Sequence, residues 1–121
     1  MKKIFYGQAV YNKKEITAAT NVLKNQNLTL IDGTNVKKLE SKIAGLFGKK
    51  YGLMVNSGSS ANLLALSSFN FKKGSEVITP TLTFSTTVAP IYQLGLIPCF
   101  IGVIDRMFIA DVEQIEKWNS S

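Results

Sequence analysis

The fold of this protein is decided by residues 52–69, which read GLMVNSGSSANLLALSSF. The apolar residues 52–56 predict a short strand, and the small polar residues 57–60 predict a turn. Residues 61–69 carry leucines and a phenylalanine at helical spacing, which predicts a helix. A strand that enters a helix through a tight turn of glycine and serine is typical of an α/β protein.

The same alternation of strand and helix continues downstream. The pattern predicts, in order, a turn over 72–75, a strand over 76–79, a helix over 84–94, a strand over 97–103 and a last helix that starts after Asp111 and runs through Trp118. Gly95 is well placed to end the helix over 84–94, and Pro90 inside it is expected to bend it. Strands separated by helices at this spacing form parallel sheets, so the predicted fold class is α/β, a mainly parallel sheet with flanking helices.

Helices are also predicted upstream. The pattern favours, in order, an extended arm over 1–11, a helix after Asn12, a loop over 28–34 and a helix over 35–47. Glu15, three residues after Asn12, favours a capping box, and Gly48 is placed to end the second helix. We therefore expect two parts, an arm with the first helix over 1–34 and a larger domain of three strands with helices over 35–121.

Composition limits the classes of function. The chain has 121 residues and a formal net charge of +6, carried by thirteen lysines and one arginine, Arg106. Base recognition and bidentate phosphate binding favour arginine, so these charges predict a solvated lysine surface rather than a nucleic-acid interface. The chain contains no histidine, which excludes a histidine-based catalytic triad or metal site.

The single cysteine, Cys99, lies in the apolar run 97–103. This position indicates a buried structural thiol, and one cysteine excludes an internal disulfide. No apolar run reaches the ~18 residues that a membrane-spanning helix needs. The residues that follow Lys2 and Lys3 are too few to form a signal-peptide core. We expect a cytoplasmic protein without a membrane span and without a metal site.

The junction over 56–62 is the most informative segment for chemistry. A strand-to-helix turn presents free N–H groups at the positive end of the helix dipole. Gly58 lets an anion approach the backbone, and Ser59 and Ser60 add hydroxyl donors, so a phosphate group is the predicted ligand. The alternative is a serine cap, with Ser57 as the N-cap and nothing bound, and the pattern alone favours neither. The junction matches neither a dinucleotide fingerprint nor a P-loop.

Residues 79–87 follow the second predicted strand at the same carboxyl edge of the sheet. Ligands of open α/β sheets collect at this edge. Phe84 could present a flat apolar face to a planar ring there. On spacing alone, a core position for Phe84 is the favoured alternative.

Three runs carry a resemblance to a known family. They are Asn56–Leu66 (NSGSSANLLAL), Glu76–Thr87 (EVITPTLTFSTT) and Gly95–Ile101 (GLIPCFI). With Gly33, Val36, Leu39, Glu40 and residues 47–51 upstream, they resemble the DegT/StrS-type sugar aminotransferases. The resemblance covers nearly the whole chain in one register.

The resemblance implies a fold-type-I enzyme that depends on pyridoxal 5′-phosphate (PLP). It implies a nucleotide-linked keto sugar and an amino donor as substrates, a homodimer in the full-length form, and a role in making lipopolysaccharide or other surface glycans. By matching position, Gly58, Ser59 and Ser60 would hold the PLP phosphate, and Phe84 would stack on the pyridine ring. Residues 35–121 would then be an incomplete PLP-binding large domain.

A second branch of the family is also similar. Residues 59–62 (SSAN) and 86–88 (TTV) resemble the 3-dehydratases of CDP-linked hexuloses, in which a histidine replaces the PLP lysine. In the family, the lysine or histidine and the carboxylate at the pyridinium nitrogen lie beyond the position of residue 121. We therefore expect no catalytic residue here and an inactive isolated chain. The alternative is a non-catalytic module that binds PLP or phosphate weakly, or pairs with a full-length relative.

The resemblance also implies a gap in the sheet, because later strands of the family lie between the first strand and the next two. Exposed strand edges would make the isolated chain marginally stable. Gly102 stands where the family usually has an acid, and Ile109 with Ala110 replaces a more polar pair. These departures lead us to expect a truncated reading frame, a gene remnant or a fragment.

Overall fold

A computed structural model describes residues 4–28 and 30–119 of the chain. The elements are, in order, α1 (Lys13–Lys24), α2 (Thr34–Leu46), α3 (Gly58–Ser67), β1 (Glu76–Pro80), α4 (Ser85–Gln93), β2 (Ile97–Ile101) and α5 (Val112–Asn119). The chain divides into two compact units, Met1–Met54 and Val55–Ser121. None of the described helices is long and apolar enough to cross a membrane.

The first unit begins with the predicted capping box. The backbone N–H of Lys14 donates to Oδ1 of Asn12 at 2.8 Å, and the N–H of Asn12 donates to Oε2 of Glu15 at 2.7 Å. Two otherwise unpaired donors are satisfied in this way, which confirms the predicted start of α1. Residues 4–11 form no helix or strand, and the first three residues of the predicted arm lie outside the described residues.

Helix α2 ends as the sequence predicts. Gly48 follows it with a φ of 62°, the left-handed conformation that glycine adopts without strain. The segment after it is tied back to α2, because the N–H of Met54 donates to Oε1 of Glu40 at 2.7 Å. Glycine is required within this segment, since a Cβ on Gly52 would lie 2.7 Å from the carbonyl oxygen of Glu40.

The second unit is built on a parallel pair of strands. β1 and β2 are in register from Glu76 opposite Ile97 to Pro80 opposite Ile101, and α4 connects them. α3 packs against α4, and α4 packs against both strands. The buried side chains of this unit are Thr79, Pro90, Ile91, Leu96, Cys99 and Ile101. The α/β class is confirmed, and so is the buried position of Cys99.

The prediction of three strands is wrong for the described part of the chain. The sheet has two strands, and residues 52–56 are not part of it. A strand is defined by hydrogen bonds to a neighbouring strand, and no strand in the described residues pairs with this segment. α3 also begins earlier than predicted, at Gly58 rather than at residue 61, because Ser57 already caps it.

β2 ends at Ile101 and not at residue 103. Beyond it, Val103 forms an isolated antiparallel bridge with Ala110, so the chain has turned back on itself. Asp111 then caps α5 as predicted, because its Oδ1 accepts from the N–H of Glu113 at 3.1 Å. The last two residues of the chain lie outside the described ranges.

Candidate functional site

Ser57 and Ser60 form hydrogen bonds with each other at the N-terminal end of α3. The hydroxyl oxygen of Ser57 accepts from the N–H of Ser60 at 3.2 Å, and the Ser57 hydroxyl donates to the Ser60 hydroxyl at 3.1 Å. The carbonyl of Ser57 accepts from the N–H of Ala61 at 3.0 Å. Ser57 is therefore the N-cap, as one of the two sequence interpretations predicts, and the third N–H of the helix is already paired.

The first two N–H groups of α3 belong to Gly58 and Ser59. No acceptor within the described residues bonds to either group, and both residues are exposed. A Cβ built on Gly58 would meet no atom within 4 Å, so the approach to these donors is open. Two backbone donors at the positive end of a helix, with the exposed hydroxyl of Ser59 beside them, are a suitable donor set for an anion.

Phe84 occupies the N-cap position of α4. Its side chain is 70% exposed, so the alternative that places it in the core is wrong. The turn beneath it is held by two bonds, from the N–H of Thr87 to the carbonyl of Phe84 at 2.9 Å and from the hydroxyl of Thr83 to that of Thr87 at 3.0 Å. The ring is thus presented to solvent from a fixed turn, as a residue that stacks on a planar ligand requires.

A shallow cavity of about 270 Å³ lies between α3 and α4. Its lining residues are Ser59, Ser60, Leu63, Thr86, Ala89, Pro90 and Gln93. The structure therefore brings Ser59 and Ser60 together with the first turn of α4, whereas Gly58 and Phe84 are outside the described lining. The predicted site residues lie at the N-terminal ends of two packed helices rather than in one enclosed pocket.

One contact between these helices is not predicted by the sequence analysis. Nδ2 of Asn62, in α3, donates to the carbonyl oxygen of Thr86, in α4, at 3.4 Å. A signal for it exists in the sequence, because Pro90 lies four residues after Thr86 and cannot supply the usual helical donor. Among the residues that the structure describes, no three His, Cys, Asp or Glu side chains lie together as a metal site.

Comparison with known proteins agrees with this architecture. Residues 10–118 match the DegT/DnrJ/EryC1/StrS aminotransferase family. The chain belongs to this family. The resemblance that the sequence motifs carry is therefore confirmed, and the match includes both units of the chain.

Relatives within the family act on different nucleotide-linked sugars. The chain is 33% identical over 115 residues to a GDP-4-keto-6-deoxy-D-mannose 3-dehydratase of Yersinia pseudotuberculosis. The match covers 90% of this chain and 29% of the relative. It is 45% identical over 97 residues to a dTDP-4-dehydro-2,6-dideoxy-D-glucose 3-dehydratase of Saccharopolyspora spinosa. That match covers 74% of this chain and 21% of the relative.

A solved structure supports the same relationship. The E. coli GDP-4-keto-6-deoxy-D-mannose-3-dehydratase with bound hydrated PLP superposes with a TM-score of 0.82 and 34% identity. The match covers 91% of this chain and 29% of that structure. The chain thus spans less than a third of the length of the family members that it resembles.

Proposed function

We propose that this chain is the N-terminal, phosphate-binding part of a PLP-dependent enzyme acting on a nucleotide-linked keto sugar. The observation that carries the proposal is the similarity over 91% of the chain to a 3-dehydratase with bound PLP. Both relatives above are also 3-dehydratases, which favours that branch. A sugar aminotransferase is the second candidate, because the family is described as one of aminotransferases. We also propose that the enzyme acts in surface glycan synthesis in the cytoplasm. It would use an amino donor and form a homodimer.

The residues at the N-terminal end of α3 fit the phosphate group of PLP. The N–H groups of Gly58 and Ser59 have no acceptor from the described residues, and the Ser59 hydroxyl is exposed beside them. The hydroxyl of Ser60 lies 3.1 Å from that of Ser57, and a small rotation of either hydroxyl would give the phosphate a further donor. An exposed Phe84 ring at the start of the neighbouring helix suits the pyridine face.

PLP supplies an electron sink that stabilises negative charge on a substrate carbon. In this proposal the described residues bind and orient: the end of α3 neutralises the phosphate, and Phe84 limits rotation of the ring. We propose that they supply no lysine or histidine for catalysis. The chain has no histidine, and Lys72 and Lys73 lie before β1, at the opposite end of that strand from Phe84. We therefore propose that these 121 residues alone bind PLP without turning over substrate.

Binding of PLP to the 121-residue chain tests the proposal. We expect PLP to bind, with inorganic phosphate as a competitor, when binding is followed by equilibrium dialysis and by visible absorbance. The double substitution Ser59→Ala and Ser60→Ala should raise the Kd for both ligands by ~30-fold, because each of the two lost charge-assisted hydrogen bonds contributes about 1 kcal/mol or more. Ser67→Ala with Ser68→Ala, at the far end of α3, is the matched control. Unchanged PLP binding in the first variant would overturn the phosphate assignment.

The coding sequence downstream of codon 121 distinguishes the two branches. If coding continues, a histidine at the position of the PLP lysine would place the protein among the 3-dehydratases. A lysine there would make it an aminotransferase. If only stop codons and unrelated sequence follow, the non-catalytic module that binds PLP or pairs with a relative becomes the better description.

A further inference from the structure

Helix α4 has a proline in its interior, Pro90. Proline has no N–H, so the carbonyl four residues earlier, that of Thr86, lacks its usual helical donor. Asn62 supplies a donor from outside the helix, because its Nδ2 lies 3.4 Å from this carbonyl oxygen. An acceptor that one helix leaves open is thus satisfied by a side chain of the neighbouring helix.

Both ends of this contact lead to the candidate site. Asn62 lies one turn after Gly58 in α3, and Thr86 lies two residues after Phe84. We propose that Asn62 is a positioning residue. By bonding the carbonyl that Pro90 leaves free, it holds the phosphate-binding end of α3 at a fixed distance from Phe84.

Other contacts between the two helices do not fix this distance. Within the described ranges, the Asn62–Thr86 bond is the one hydrogen bond that joins α3 to α4. The remaining contact is packing of small and apolar side chains around a shallow cavity, and such contacts have little directional preference. A hydrogen bond adds a preferred direction and distance to the helix pair.

The role rests on the proposed function, because it concerns a ligand that reaches both helices. Inorganic phosphate can contact the end of α3 alone, whereas PLP must meet α3 with its phosphate and Phe84 with its ring. A change in the distance between the two helices should therefore weaken PLP and leave inorganic phosphate unaffected. This difference in binding distinguishes a residue that positions α3 relative to Phe84 from one that only stabilises the α3 helix.

The test measures the Kd of PLP and of inorganic phosphate for Asn62→Leu in the full chain. We expect the Kd of PLP to rise by ~2- to 10-fold, the range that one net hydrogen bond accounts for, and that of phosphate to stay at its wild-type value. Asn21→Leu, an exposed asparagine of α1 without a side-chain hydrogen bond among the described residues, is the control for placing leucine on a helix surface. Equal weakening of both ligands, or no weakening of PLP, would overturn the role.

A rescue experiment tests the part played by the proline. Pro90→Ala restores an N–H that can bond to the Thr86 carbonyl within α4. In that background Asn62→Leu should no longer weaken the binding of PLP. A rise in the Kd of PLP as large as in the wild-type background would overturn the proposal.

The NMR shifts of the Asn62 side-chain amide protons report the bond without any ligand. If wild-type chain shows this bond but binds no PLP, the proposed function fails and the positioning role fails with it. If PLP binds and Asn62→Leu has no effect, the role alone fails.

Discussion

The backbone N–H of Gly102 donates to Oε1 of Gln114 at 2.7 Å. The same side chain uses its Nε2 to donate to Oδ2 of Asp111 at 2.9 Å. One glutamine therefore joins the end of β2 to the start of α5. A Cβ on Gly102 would lie 2.9 Å from Nε2 of Gln114, so any larger residue at this position would displace the glutamine side chain. The absence of a side chain at Gly102 therefore leaves the space that the Gln114 side chain occupies.

Loss of this glutamine should destabilise the second unit. Gln114→Leu removes both bonds and leaves the half-buried N–H of Gly102 without its partner, which costs about 1–2 kcal/mol. Urea unfolding followed by tryptophan fluorescence measures the change, since Trp118 lies in α5. Gln93→Leu, at an exposed position of α4 at the rim of the shallow cavity, should change the free energy of unfolding by less than about 0.5 kcal/mol. Equal effects of the two substitutions would contradict the structural role of Gln114.

The thiol of Cys99 should react slowly in the folded chain. Burial raises the pKa of the Cys99 thiol, and the negative charge of Glu76 together with its hydrogen bond raises it further. A raised pKa lowers the fraction of reactive thiolate, and access is also restricted, because Cys99 is 5% exposed. At pH 8 we expect modification by a disulfide reagent to be slower by roughly tenfold or more than in urea-unfolded chain.

Glu76→Gln separates the effect of burial on the pKa of the Cys99 thiol from the effect of the Glu76 charge. Glutamine keeps an oxygen that can accept from Nε1 of Trp118, whose distance to Oε2 of Glu76 is 3.4 Å. The substitution removes the negative charge, so the folded chain should react faster than wild type and still more slowly than the unfolded chain. A rate equal to that of the unfolded chain would mean that burial does not protect this thiol.

Acid should weaken the start of α1. The N–H of Asn12 and the N–H of Glu15 itself hold the pKa of the Glu15 carboxyl below its usual 4.5. With a lowered folded pKa, the stabilising contribution is present above pH 4.5 and is lost as pH falls through the folded pKa. Titration of the Glu15 carboxyl carbon by NMR should give this low midpoint. In the urea-unfolded chain the midpoint should return toward 4.5, and equal midpoints in the folded and unfolded chains would contradict the capping box.

Gly45 inside α2 and Gly48 after its end should respond in opposite ways to alanine. Gly48 has a φ of 62°, so Gly48→Ala should destabilise the first unit by about 1 kcal/mol. Gly45 lies inside the helix and has open space around its Cβ position, so Gly45→Ala should stabilise it by about 0.5–1 kcal/mol. Thermal unfolding followed by circular dichroism gives both values. The same sign for both substitutions would show that the left-handed conformation of Gly48 does not limit stability.

Some features of the fold and the site follow from short-range patterns. Asn12 and Glu15 mark the start of α1, and Asp111 marks that of α5, because a cap involves groups within a few residues of each other. The serines at 57–60 likewise predict a helix N-terminus with free donors. The pattern predicts the start of α3 only at residue 61, because glycine and serine favour turns. The helix begins at Gly58, because Ser57 already caps it.

Other features depend on partners far away along the chain. Residues 52–56 have a strand pattern, yet no neighbouring strand pairs with them in the described structure. Spacing alone favours a core position for Phe84, whereas the ring is exposed, because spacing does not say whether another element covers that face.

The sequence by itself determined the family, the order of β1, α4 and β2, the helix caps and the exposed N–H donors at the start of α3. These properties are encoded in contiguous residues, where local hydrogen bonds and spacing decide the outcome. Only the tertiary structure decided the bond from Asn62 to Thr86, the bond from Gly102 to Gln114 and the two-stranded sheet. Each of these joins groups that are distant in sequence, and a hydrogen bond forms only where packing brings its donor and acceptor within about 3.5 Å.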